Sequence, residues 1–409
     1  MLPKGWQRST LGEIARISSG GTPDRAKPEY WGGEVPWVTT GEIQFNTITD
    51  TIEKITEAGL KNSSAKLFPP GTLLMAMYGQ GKTRGQMAKL AIEAATNQNS
   101  AAILLSEDHE PDFYFHYLSS QYENIRDFGH SGGVSHLNAG LLKQIPVPVA
   151  PKLEQRRIAS ILATWDQAIV TTERLLANAR KQRQSLMAVL LTGLRRYKDY
   201  GDRWRYVDFD AIFERITTKN GSGNTTVLTI SGEHGLISQR DYFNKSVASE
   251  NLSGYTLLER GDFAYNKSYS TGYPMGAIKP LEDYESGVVS SLYLCFRVRA
   301  DVDACHDYFR HYFEAGLFNQ EIKGIAQEGA RNHGLLNVSV TEFFKLSLHI
   351  PTGAEQKKIA AVVNGAEREE KSLSLQVQAL RREKDALMAQ LLTGKRRVYL
   401  PDAEVVAKS

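Results

Sequence analysis

Residues 151–197 read PKLEQRRIASILATWDQAIVTTERLLANARKQRQSLMAVLLTGLRRY, and residues 352–398 read TGAEQKKIAAVVNGAEREEKSLSLQVQALRREKDALMAQLLTGKRRV. The two align without a gap at an offset of 201. Glu154-Gln155 falls on Glu355-Gln356, Ile158-Ala159 on Ile359-Ala360, and Leu190-Leu191-Thr192-Gly193 on Leu391-Leu392-Thr393-Gly394. Between Pro151 and Gly193 no proline or glycine interrupts the first copy, so it predicts a helix of ~40 residues and ~60 Å. A 4,3 spacing selects Ile158, Leu162, Trp165, Ile169, Thr172, Leu176, Ala179, Arg183, Leu186 and Leu190. The matching stripe is Ile359, Val363, Ala366, Glu370, Leu373, Val377, Leu380, Lys384, Leu387 and Leu391. Heptad stripes of this length predict that the helices pair as a coiled coil.

The sequence outside the helices repeats more faintly. Trp6, Leu11 and Ile14 match Trp204, Phe209 and Ile212; Gly71-Thr72-Leu73-Leu74-Met75 parallels Gly261-Asp262-Phe263-Ala264-Tyr265; Leu137-Asn138 parallels Leu336-Asn337. The plan is therefore globule (1–150), helix (151–197), globule (198–350), helix with a C-terminal tail (351–409). Runs of β-branched and aromatic residues over 33–40, 73–78, 101–105, 226–230 and 288–298 predict strands, and 112–128 and 305–327 predict helices, which makes an α+β class. Two like globules followed by two like helices can share a pseudo-twofold axis only if the helices run antiparallel, here in a register centred near residue 174. In that register Arg183 approaches Ala366 and Glu370.

Composition narrows the function classes. Lysine and arginine total 49 against 46 aspartate and glutamate, a net charge of +3. The excess is local: residues 151–200 carry 10 basic and 4 acidic side chains (+6) and 351–409 carry 11 and 8 (+3), whereas 1–150 (13 and 15) and 201–350 (15 and 19) come to −2 and −4. No apolar run is long enough to span a membrane and Met1–Thr10 lacks the apolar core of a secretion signal, so a cytoplasmic protein without a membrane role is expected. Cys295 and Cys305 have neither metal-ligand nor disulfide spacing.

Catalytic motifs fail on inspection. Gly79-Gln80-Gly81-Lys82-Thr83 resembles a phosphate-binding loop, but the glycine required five positions before Gly81 is Ala76. Asp24, Lys27 and Glu29 lie in a turn-like segment rather than on strands. There is no Asn-Pro-Pro-aromatic motif and no dinucleotide fingerprint, so neither a catalytic centre, a metal nor a cofactor is expected. The glycine-rich loops suit nucleic acid better. Lys82, Thr83 and Arg84 can meet phosphates or base edges, as can Ser131 and His136 in the loop before Leu137-Asn138. In the second globule the corresponding candidates are Asn266 and Lys267, with Arg331 and Asn332, whose residue types read guanine and adenine in the major groove, and His333 beside them to read or to position.

The opening LPKGWQRSTLGEIARISSGGTP, the Glu-Gln and Ile-Ala pairs at each helix start and the terminal Leu-Leu-Thr-Gly followed by basic residues, each present twice, resemble the specificity subunits of type I restriction-modification enzymes over nearly the whole chain. The resemblance implies two target-recognition domains that each read half of a bipartite site in double-stranded DNA. It further implies helices that set the spacer and dock two methyltransferase subunits, with endonuclease-translocase subunits joining through the methyltransferases. A coiled-coil scaffold without a DNA role, and an enzyme using Lys82 and Thr83 on a nucleotide, are the competing readings.

Overall fold

A computed structural model describes residues 2–398 apart from 80–81, 129–135, 233, 241–250 and 329–333. The chain folds into two compact units, Met1–Glu173 with Leu375–Ser409 and Arg174–Ser374. The boundaries fall inside the long helices, so each unit owns one globule and half of each helix.

In the first unit a five-stranded sheet has the order 15–19, 100–105, 73–76, 87–90, 46–48, antiparallel except for the last pair. A second sheet orders 53–55, 31–38, 94–96 and 67–68. Strands Gln7–Thr10 and Pro146–Val149 pair antiparallel and bring the two ends of the globule together. The second unit repeats the frame. Its sheet runs 213–215, 294–298, 263–266, 277–280, and strands Arg205–Asp208 and Ser347–Ile350 close the globule. The faint sequence matches around Gly71 and Gly261 thus mark the same central strand in two copies of one topology. Three expected elements are broken: 112–128 forms two helices, Pro111–Ser120 and Tyr122–Phe128, separated at Gln121. Residues 288–298 form two strands separated by the turn at Ser290–Tyr293, and 305–327 form two helices because Gly316 takes a positive φ of 69°.

The long helices run Lys152–Leu190 and Gly353–Leu391, 39 residues each. Every position of both heptad stripes is buried or half-buried, Arg183, Glu370 and Lys384 included. In the first unit Ile158 and Leu162 share a core with Met388, Leu391 and Leu392, beneath Trp6, Leu11 and Phe113. In the second unit Met187, Leu190 and Leu191 share one with Ile359, Ala360 and Val363, beneath Phe209, Phe213 and Phe296. Within each unit the two half-helices are antiparallel: Asp166 meets Lys384 and Glu173 meets Arg381 in the first, and Arg183 meets Glu370 in the second.

Candidate nucleic-acid interface and its supports

The repeated motifs build a latch. Glu154 and Glu355, each 1% exposed, start the two helices. Glu154 accepts from Arg397 Nε (2.6 Å) and Nη2 (2.8 Å) and from Trp6 Nε1 (3.0 Å). Glu355 accepts from Arg196 Nε (3.1 Å) and Nη2 (2.7 Å). Each arginine is delivered by the same device at the end of the other helix. Gly193 and Gly394 both have φ +72°, and the amide of the residue two beyond each closes back on the helix, Arg195 N to Val189 O and Arg396 N to Gln390 O. That is the bonding of a glycine-terminated helix, in which a side chain at the left-handed position costs energy. A Cβ on Gly394 would also lie 2.6 Å from Pro3. The preceding leucines are buried and the threonines bond back to the carbonyls of Ala188 and Ala389. The glutamines tie globule to helix: Gln155 accepts from Glu110 N and donates to Ala150 O, and Gln356 accepts from Cys305 N and donates to Pro351 O. Both residues they cap lead into a globule helix, Pro111–Ser120 or His306–Glu314. The strongest sequence signal in this chain is thus structural.

Deeper along each helix pair lies a buried histidine. His116 Nε2 stands 3.6 Å from Asp166 Oδ2, and Asp166 also holds Lys384 at 2.5 Å. Burial, then the Lys384 ammonium, push His116 down to about 4 against the opposing pull of Asp166. His311 occupies the same turn of its helix, bonded to Asn364 at 2.6 Å, and is likewise lowered by burial and then by Arg310. Arg183 Nε approaches Glu370 Oε2 at 2.8 Å without the alignment of a hydrogen bond, while Arg180 Nε bonds Oε1 of the same carboxylate at 3.1 Å. The expected meeting of Arg183 with Glu370 is therefore observed.

Of the candidate contact residues, Ser131, Arg331, Asn332 and His333 lie outside the described residues. The remaining ones gather at equivalent places. The central strand of each sheet leads into a loop: Met77 O accepts from Leu137 N, and Lys267 O accepts from Leu336 N. His136 stacks on the exposed Tyr78 ring with centroids 4.8 Å apart. Lys82 is exposed and Thr83 half-buried beside them; Arg84 is only 8% exposed and packs inward. Asn266 and Lys267 are half-buried at the end of the equivalent strand, next to Tyr269, which is 62% exposed. Sequence patterns had not singled out Tyr78 or Tyr269; an aromatic directly after a buried strand and before a glycine-rich turn was the available signal.

Each unit also has a groove between its globule helix and a long-helix end. One, about 410 Å³, is lined by Arg183, Met187, Ala188 and Thr192 with Leu317. The other, about 560 Å³, is lined by Lys384, Met388, Ala389 and Thr393 with Tyr122. The four helix residues correspond one to one at the 201-residue offset. No described helix is long and apolar enough to cross a membrane.

Residues 3–179 match the family described as the type I restriction modification DNA specificity domain. Among curated proteins, the chain is 28% identical over 199 residues to the type I restriction enzyme MjaIX specificity subunit of Methanocaldococcus jannaschii, covering 46% of this chain and 43% of that one. It is 29% identical over 161 residues to the EcoR124I/EcoR124II specificity subunit of Escherichia coli, covering 38% and 40%. The matched stretch thus spans less than half the length of these curated relatives. Among solved structures, the S subunit of a type I restriction-modification system from M. genitalium aligns over 96% of both chains with a TM-score of 0.58 at 14% identity. The HsdS subunit from Thermoanaerobacter tengcongensis aligns over 97% of this chain and 98% of its own with a TM-score of 0.50 at 16% identity. At these identities the solved structures speak for the fold. The specificity-domain match over residues 3–179 and these curated relatives make the chain similar to the specificity subunits of type I restriction enzymes.

Proposed function

We propose that this chain reads a bipartite sequence in double-stranded DNA and hands that specificity to partner subunits, without a catalytic centre of its own. Residues 1–150 and 198–350 each read one half-site. The observation that carries this reading is the duplication of a whole frame. The same sheet order, the same strand-to-loop junction and the same buried glutamate latch occur twice, while the exposed loop residues differ between copies. A fold repeated under constant supports with variable tips is what two readers of different half-sites require. Lys82, Thr83 and His136 in the first unit and Asn266 and Lys267 in the second are the described contacts of this reading; Arg84 supports the loop from inside. Ser131, Arg331, Asn332 and His333 belong to the same proposal.

The partners are two methyltransferase subunits, joined through them by endonuclease-translocase subunits, acting on cytoplasmic DNA. The matched grooves support two copies of one partner, since the same four helix residues line each. A pure scaffold needs a constant frame but gives no reason for the tip loops to diverge between copies. Replacing residues 1–150 by the corresponding globule of another specificity subunit tests the reading. Sequencing of methylated bases should show one half-site changed and the other retained; a change in both refutes independent reading.

A further inference from the structure

We infer that Tyr122 and Arg126 are positioning residues that hold the Lys82 loop in its DNA-contacting shape, and that this clamp serves the first unit alone. The inference rests on the reading of Lys82 as a DNA contact. Tyr122 begins the short helix Tyr122–Phe128. Its hydroxyl donates to the carbonyl of Lys82 and accepts from Arg126 Nη1 at 2.9 Å, and the Arg126 guanidinium lies 5.1 Å from the Tyr122 ring centroid. The loop is shaped to receive them. Gly85 has φ +87°, and a Cβ there would press on Arg126 Cγ at 3.0 Å and on the Tyr122 ring at 3.5 Å. The amides of Gly85 and Gln86 close the turn on Ala76 O (2.8 Å) and Thr83 O (3.0 Å).

The other face of the Tyr122 ring explains an otherwise costly backbone. Phe45, at φ 55°, is the one non-glycine with positive φ among the described residues. A bulky side chain avoids that region unless its surroundings demand it, and strain of this kind gathers at sites that need a fixed geometry. Here it sets the Phe45 ring edge-on against Tyr122, centroids 5.1 Å apart and planes at 86°, while Phe45 N donates to Met87 O on the strand leaving the loop. Tyr122 is thereby fixed by ring packing on one side and hydroxyl bonding on the other, which leaves the Lys82 ammonium exposed on a loop whose backbone is held. The helix in the same place in the second unit, Asn319–Ile325, reads NQEIKGI and supplies neither a tyrosine nor an arginine. The clamp is not part of the shared frame.

The test compares full-chain Y122F, K82A and the double variant. The probe is a fluorescent duplex bearing the sequence that the wild-type chain enriches most strongly from a randomised pool. Y122F keeps the ring against Phe45 and removes only the hydroxyl bonds, so it should weaken binding roughly fivefold. Its melting temperature and its sequence preference at the second unit's half-site should stay unchanged. K82A should also weaken binding and lower the salt slope by about one, and the double variant should bind no worse than K82A, because Tyr122 acts through that loop. If K82A weakens binding and Y122F does not, or if the two effects multiply, the clamp is wrong while the DNA reading of Lys82 stands. If K82A is silent, that reading falls and the clamp with it.

Discussion

Replacing Glu154 and Glu355 by alanine in separate variants should destabilise the chain unequally, Glu154→Ala by about 1–3 kcal/mol more. The comparison is informative because the positions are equivalent: both carboxylates are 1% exposed and each takes two bonds from one arginine. The cavity and the desolvation of a glutamate are nearly the same in both and cancel in the difference. What does not cancel is what each leaves behind. Arg397 is 45% exposed and recovers much of its loss in water, and Arg196, 28% exposed, keeps its bonds to the carbonyls of Tyr200 and Asp202. The loss at each arginine is therefore of the same kind and largely cancels between the two variants. Trp6, however, is 6% exposed and its indole N–H loses its partner, whereas Trp204 Nε1 has none among the described residues to begin with. An orphaned buried donor costs about 1–3 kcal/mol, and that is the excess expected for Glu154→Ala over Glu355→Ala. Urea unfolding followed by tryptophan fluorescence can separate the units, because Trp6, Trp31, Trp37 and Trp165 lie in the first and Trp204 alone in the second. A W204F background then reports the first unit. If Glu154→Ala costs no more than Glu355→Ala, the buried latch is not where the stability resides.

Acid should act on the histidines. In the unfolded chain His116 takes up a proton near pH 6.5, but in the folded chain only near 4, so between those values the unfolded state binds more protons and stability falls as pH drops, by about 3 kcal/mol across the window. His311 is lowered too and adds in the same direction. His116→Gln should flatten the pH dependence of chemical unfolding between pH 6.5 and 4, and an unaltered slope counts against the buried neutral imidazole. Glu370→Lys sets a third cation beside Arg180 and Arg183, and should lower stability by about 2 kcal/mol; an unchanged melting curve shows that this ion pair does not hold the register. Lengthening both helices by seven residues, at 174 and at 375, keeps the heptad phase and adds ~10 Å, which should stretch the methylated site's spacer by about 3 base pairs. An unchanged spacer would refute the helices as its measure.

How much of this was legible in the sequence follows from what each residue answers to. The heptad positions answer to a periodic requirement, since every third or fourth side chain must leave water, and the period is visible without coordinates. The register was legible for a related reason: Arg183 and Lys384 are awkward in an apolar seam and need acids, and only one antiparallel alignment brings Glu370 to Arg183. The Glu-Gln and Thr-Gly pairs were visible as repeats, but their meaning was not. Glu154 is satisfied by Arg397 and Trp6, a hydrogen-bonded triangle spanning most of the chain that no local rule connects. The burial of Arg84 was not legible: its type and its glycine-rich surroundings favour an exposed position, and the packing that covers it is not contained in the loop sequence.

The contrast between latch and loop bears on how such a chain can change what it reads. The sequence identity between the two copies is concentrated where a side chain must satisfy a buried charge or a helix end. The alternatives there each cost kilocalories, and the same solution is kept twice. The loops after the central strands face a weaker constraint. The base of each is tied by a main-chain bond, Met77 O with Leu137 N and Lys267 O with Leu336 N, which any side chain permits. Side chains at the tips can therefore diverge without disturbing the frame, and accessory supports such as Tyr122 and Phe45 can arise in one copy without a counterpart in the other. On the proposed reading the frame carries the stability and the tips carry the specificity. Substitutions at Glu154 or Gly394 should lower binding to every sequence alike, whereas substitutions at Lys82 or Lys267 should weaken or re-direct one half-site while leaving the melting transition in place.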